Sequence, residues 1–173
     1  MRFPRSFTAR LALAVAAGLA VRVLYVVLVA RKIAPFGDAV TYHGWAQTIA
    51  DGIGWVRVPH PELGLFHVAP EPSAEHGPLF SLVLAGFYKL GATGWTAQKI
   101  CVCGIGASTI VFTGLAAREA AGARAGLIAA WIAAVYPFLW VADGTLLAES
   151  LSTALIAASL WLALRFVRAP SAA

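Results

Sequence analysis

The run LALAVAAGLAVRVLYVVLVA, from Leu11 to Ala30, carries a single charge, Arg22. A stretch of about 20 apolar residues spans the hydrocarbon core of a bilayer as one helix, with every backbone N–H and C=O bonded within the protein. Such a run commits a chain to membrane helices unless it is a cleaved signal. Arg2, Arg5 and Arg10 precede it, as in a signal peptide. The run is longer than a signal core of roughly 7–15 residues, and Arg31-Lys32 stands where a small-residue cleavage site belongs. It therefore reads as an uncleaved first transmembrane helix with its N-terminus in the cytoplasm. Arg22 is costly in lipid, so it is expected to face the bundle or water.

Four further apolar runs follow: Pro78–Leu90, Ile100–Ala117, Ala125–Val141 and Thr145–Phe166. The chain is 60% hydrophobic and 12% charged, whereas soluble domains average about 25% charged residues. These features predict one all-α membrane domain over 1–173, a polytopic bundle of about four to five transmembrane helices. The net charge of +5 is scattered at the flanks of apolar runs. That is the pattern of membrane topology rather than of nucleic-acid binding. Cys101 and Cys103 point to different faces of a helix and read as packing residues. Gly122-x-x-x-Gly126 is a small-residue match for close helix packing, and Pro137 is expected to kink its helix.

The long polar region, 31–77, holds all four histidines and five of the eight acids. Its net charge is −2, against +7 for the remainder, as expected of an extracytoplasmic loop in a multi-pass protein of the cell membrane. If all five runs cross, the C-terminus lies outside and Arg118, Arg124, Arg165 and Arg168 all fall on the outer side, against the positive-inside rule. If Pro78–Leu90 stops short, all four lie in the cytoplasm and Asp143 and Glu149 share a side with Asp38. Charge favours the second arrangement.

Within the loop, Tyr42, Trp45, Ala46 and Ile49 repeat at helical spacing. They predict an amphipathic juxtamembrane helix over 38–50, with Asp38 as its cap and Gly52 at its end. Its aromatic face suits the membrane interface, and His43, off that face, is expected to be solvated. Beyond Gly54 the prolines predict irregular chain. Asp38 is either a helix cap or a general base at the membrane surface, and one carboxylate can be both. Tyr42, one turn on, is placed to orient that carboxylate or a substrate. Glu75 and His76 are held at the membrane surface just before Pro78. Glu149 joins Thr145, Ser152 and Thr153 in a polar strip, and an acid in such a segment usually faces a bundle interior. The histidine spacings do not form a metal motif.

In order and spacing, these pieces resemble the N-terminal part of C-type (GT-C) integral-membrane glycosyltransferases. Protein O-mannosyltransferases and lipid A aminoarabinose transferases are the closer likenesses. GDAVTYHGWAQTIADGIGW, PSAEHGPLFSLVLAGFYKLG, AQKICVCGIGAS and AGLIAAWIAAVYPFLWVADGTLLAES carry the likeness, over roughly 10–165. Gly77-Pro78 stands where many relatives have Pro-Pro, and Lys99 where many have arginine. The resemblance implies transfer of a sugar from a polyprenyl-phosphate donor to a protein or glycan acceptor, with inversion, at the extracytoplasmic face. It implies Asp38 as the catalytic carboxylate, with Tyr42, Glu75, His76 and Glu149 about the substrate. Arg57 is the basic candidate for the leaving phosphate. No cofactor is implied, and a divalent-cation requirement stays open. Members of that family are several times longer, so the likeness implies a truncated chain or a separately encoded C-terminal half. The competing class is a non-enzymatic membrane protein, such as a transporter component or packing subunit. It predicts polar groups along a path through the helices rather than gathered at one surface.

Overall fold

The computed structural model describes residues 6–168 except 66, 68 and 70, and omits the Glu62 side chain. Arg2 and Arg5 lie outside the described residues. The fold is an all-helical membrane bundle. The first helix, α1 (Phe7–Leu28), is capped by the Ser6 hydroxyl, which accepts from the Ala9 N–H at 3.2 Å. A single 3-10 turn, Ala30–Lys32, ends it. Then come α2 (Asp38–Ala50), α3 (Pro78–Lys89), α4 (Trp95–Val135), α5 (Pro137–Thr145) and α6 (Glu149–Arg168). Among the described residues, three segments are long and apolar enough to cross a membrane: Phe7–Lys32, Trp95–Val135 and Glu149–Arg168.

At 41 residues, a straight α4 would run about 60 Å, twice the hydrocarbon thickness. It is not straight. Gly122 has φ 87° and ψ 176°, a conformation open essentially to glycine alone, and the chain turns back there. The limb 95–120 then packs against the limb 123–135. A methyl added at Gly126 would lie 2.6 Å from the Gly114 carbonyl oxygen, and one added at Gly114 would lie 3.1 Å from the Ala130 Cβ. Gly126 is thus a close-packing glycine, as expected. Gly122 is the hinge of the hairpin instead, because its backbone could not stay helical.

Pro137 opens α5 after the non-helical Tyr136, so the expected kink is a full break. Leu146, at φ 61°, ends α5 in the left-handed conformation, and α6 restarts at Glu149. The run from Thr145 to Phe166 is therefore two elements, and Thr145 does not share a helix with Glu149, Ser152 and Thr153.

The two ends of the bundle are chemically distinct. At one end the Arg118 guanidinium lies 4.5 Å from the Phe7 ring centre, and Arg168 donates to the Ala120 carbonyl at 3.2 Å. At the other end Lys99 donates to the Ala30 carbonyl at 3.0 Å, and α5 seats Gly144 against Ala30 and Tyr25. The segments α1, 95–120, 123–145 and α6 thus alternate in direction. With 12 residues, α3 is about 18 Å long, too short to cross.

The interiors of the two regions differ with their solvents. Between the long helices the buried residues are small: Ala14, Ala130, Ala133 and Ala134 surround Leu11 and Ile110. Close backbone approach is what holds helices together where lipid is as apolar as leucine. Beneath α2 and α3 the core is bulky, with Tyr42, Phe80, Leu84, Val102 and Leu146 buried around Ala39 and Ala46. Removing each large side chain there from water contributes about 1.5–3 kcal/mol.

Candidate functional site

The helix α2 forms over the expected residues, but Gly37 is its cap and Asp38 is its first helical residue. The Asp38 carboxylate makes no cap bond. It sits instead where an acid favours the positive end of the helix dipole. It remains 61% exposed, with its Oδ1 3.6 Å from His76 Nε2. His76 reaches that position because Gly77 and Pro78 start α3 directly beneath it. The Tyr42 ring fixes the pair from the side, 5.0 Å from the His76 ring and 5.1 Å, edge-on, from Phe80. Trp45 closes the far side, 6.0 Å from His76. The Tyr42 hydroxyl titrates above its ordinary value: burial raises it first, and the negative charges of Asp38 and Glu149 raise it further. Glu149, an exposed residue at the start of α6, is thereby part of the same electrostatic neighbourhood.

Three of the candidate residues, Asp38, Tyr42 and His76, thus come together from two separated segments, and Glu149 reaches Tyr42 through its charge. Two do not join them. Arg57 is held at the loop's β-bridge by Glu71, at 3.7 Å between exposed side chains and through an Arg57 N–H to Glu71 carbonyl bond of 2.7 Å. Glu75 is exposed on the loop.

The aromatic side of α2 faces protein. Trp45 is fully buried and donates its ring N–H to the Val56 carbonyl at 2.9 Å. His43 is buried, not solvated as its position off the aromatic face predicts. It stacks on Trp95 at 3.9 Å. Its Nδ1 is 2.9 Å from Gln98 Oε1 and its Nε2 is 3.3 Å from Gln47 Nε2. An acceptor on one side and a donor on the other define a neutral ring, protonated on Nδ1. Burial accordingly holds its pKa below the ordinary imidazole value, with Gln98 opposing in part.

A second polar centre lies inside the bundle. Arg22 is fully buried, with Nε 2.9 Å from Asp143 Oδ2. Its terminal nitrogens donate to the carbonyls of Gly18 (3.1 Å), Ala134 (3.3 Å) and Ala133 (3.4 Å). Pro137 explains why a carbonyl is available: it has no N–H to offer the residue four before it, so Ala133 needs another donor. Gly106 makes room for the carboxylate, because a side chain there would overlap Asp143. Ser150 and Glu149 lie against the same small hollow, about 40 Å³. Arg22 faces the bundle as expected. Its partner, Asp143, was missed as a site residue; the available signal was that an arginine inside an apolar run demands an acid elsewhere in the membrane.

Among the described residues no cluster of three His, Cys, Asp or Glu side chains is placed to hold a metal. No family model, curated protein or solved structure matches the chain.

Proposed function

We infer that the chain is a glycosyltransferase, or part of one, moving a sugar from a polyprenyl-phosphate donor to an acceptor at the extracytoplasmic membrane face. The observation that carries this reading is the exposed Asp38 carboxylate, set beside His76 and Tyr42 at one end of a membrane bundle. A general base must be open to its acceptor and held in place by neighbours. Asp38 takes the proton from the acceptor hydroxyl as that oxygen bonds to the anomeric carbon. The bond from that carbon to the phosphate oxygen breaks, and its electron pair leaves with the lipid phosphate. Attack from the face opposite the phosphate inverts the centre. His76 steadies the Asp38 carboxylate, and Tyr42 and Glu149 border the acceptor.

The competing reading, a protein with a polar path through its helices, draws on the buried Arg22–Asp143 pair. That pair is closed, each charge being consumed by the other, and the hollow beside it has room for a water or two rather than a passage. Asp38, Tyr42 and His76 gather instead at one end of the bundle.

The test is transfer of radiolabelled sugar from polyprenyl phosphate in native membranes, where any partner chain is also present. Asp38→Ala is expected to lower the rate about 100-fold or more, the usual contribution of a positioned base. Equal transfer by both proteins would remove Asp38 from the chemistry.

A further inference from the structure

At the same end of the bundle, where α1 gives way to the loop and α4 begins, lies a groove of about 260 Å³. Arg31, Lys32 and Lys99 bring three positive charges to it, and its described lining residues include no carboxylate. Arg31 and Lys32 are exposed. Lys99 is 96% buried beneath them (4% exposed), with one ammonium hydrogen on the Ala30 carbonyl. An ammonium has three donors, so two remain for a ligand. Trp95 and Thr96, in the first turn of α4, add backbone N–H groups that no side chain caps. A buried lysine under two exposed cations, at a helix start, is a site for an oxyanion.

The surroundings identify what carries that anion. A second hollow of about 310 Å³ shares Pro35 and Trp95 with the groove and adds Val40 and Pro61, all of them apolar surface. The two together are amphipathic. The apolar segment Phe7–Lys32 ends on Arg31 and Lys32, so the groove stands where hydrocarbon yields to the phosphate layer of a bilayer. A soluble anion needs neither the apolar annex nor that level.

We propose that this groove binds the phosphate of an anionic phospholipid, whose chain lies over Pro35, Val40, Pro61 and Trp95. The Asp38–His76 pair takes no part in it, and the proposal does not rest on the transferase reading.

Native mass spectrometry of the whole chain in nonionic detergent tests it. Dioleoyl-phosphatidylglycerol, dioleoyl-phosphatidylcholine and inorganic phosphate are titrated separately and in competition. The expected result is one tightly held phosphatidylglycerol per chain, with phosphatidylcholine weaker by about tenfold or more, since basic side chains near the surface favour an anionic headgroup. Arg31→Gln with Lys32→Gln, both exposed, should abolish that preference. Lys99→Gln gives an independent comparison should the double variant not fold. Equal occupancy by the two lipids would overturn the proposal, as would a preference that survives both variants. Displacement of phosphatidylglycerol by equimolar inorganic phosphate would overturn the assignment to a lipid.

Discussion

Arg22 keeps its charge inside the bundle because Asp143 and the Ala133 and Ala134 carbonyls surround it. Removing either charge leaves the other uncompensated. Arg22→Met should therefore destabilise the protein by about 3–5 kcal/mol, and pairing it with Asp143→Leu should restore much of that loss. Denaturant unfolding in micelles measures both; a double variant no better than the single would show that the pair is not the main loss. His43 acts in the opposite sense. It is buried neutral, so its folded pKa lies below its unfolded value near 6.5. The stability it contributes is fully present above that pH and is lost as pH falls through the folded value. The melting temperature should fall more steeply between pH 7 and pH 5 in the wild type than in His43→Gln. Parallel curves would mean that His43 stays uncharged in both states or titrates equally in both.

The elements divide by what periodicity can report. The 38–50 helix was legible because Tyr42, Trp45 and Ala46 repeat at helical spacing between Asp38 and Gly52. Its neighbours were not. Nothing local to His43 tells that Gln98, 55 residues on, will meet its ring. The breaks at Gly122 and Leu146 were hidden for a related reason: apolar composition is the same on either side of each, and only the backbone angle marks the turn. Of the site, Asp38, Tyr42, His76 and Glu149 were nameable from residue type and position, whereas Asp143 and the Arg31–Lys32–Lys99 groove needed the helices folded together. The hairpin offers a test at this scale. Gly122→Ala puts a Cβ into a conformation suited to glycine and should cost about 1–3 kcal/mol. Gly104→Ala, at a helical position where an added Cβ meets nothing within 4 Å, should cost nothing and gain a few tenths through helix propensity. Thermal unfolding of the two variants side by side separates backbone strain from the loss of a glycine as such.

For the whole molecule, the decisive feature is the length of α3, at 12 residues too short to cross by itself. Four alternating segments then bring Arg10, Arg118, Arg124, Arg165 and Arg168 to one end, and α2, α3, Asp143 and Glu149 to the other. Positive-inside bias then predicts that the arginine end is cytoplasmic. Single cysteines at positions 120 and 168, in a background lacking Cys101 and Cys103, should both react with an impermeant maleimide only after the membrane is opened. Reaction of both positions from outside intact cells would require a fifth crossing.

The ion pair within the bundle also constrains how the protein is made. The carbonyls that receive Arg22 lie 111 and 112 residues further along the chain. At a synthesis rate of about 5–20 residues per second, they emerge roughly 6–20 seconds after it. Through that interval the only one of the partners of Arg22 already made is the Gly18 carbonyl on its own helix. Released into lipid alone, that helix would carry the cation at a cost of about 2.5–3.5 kcal/mol, which the fold-back relieves when it delivers Asp143.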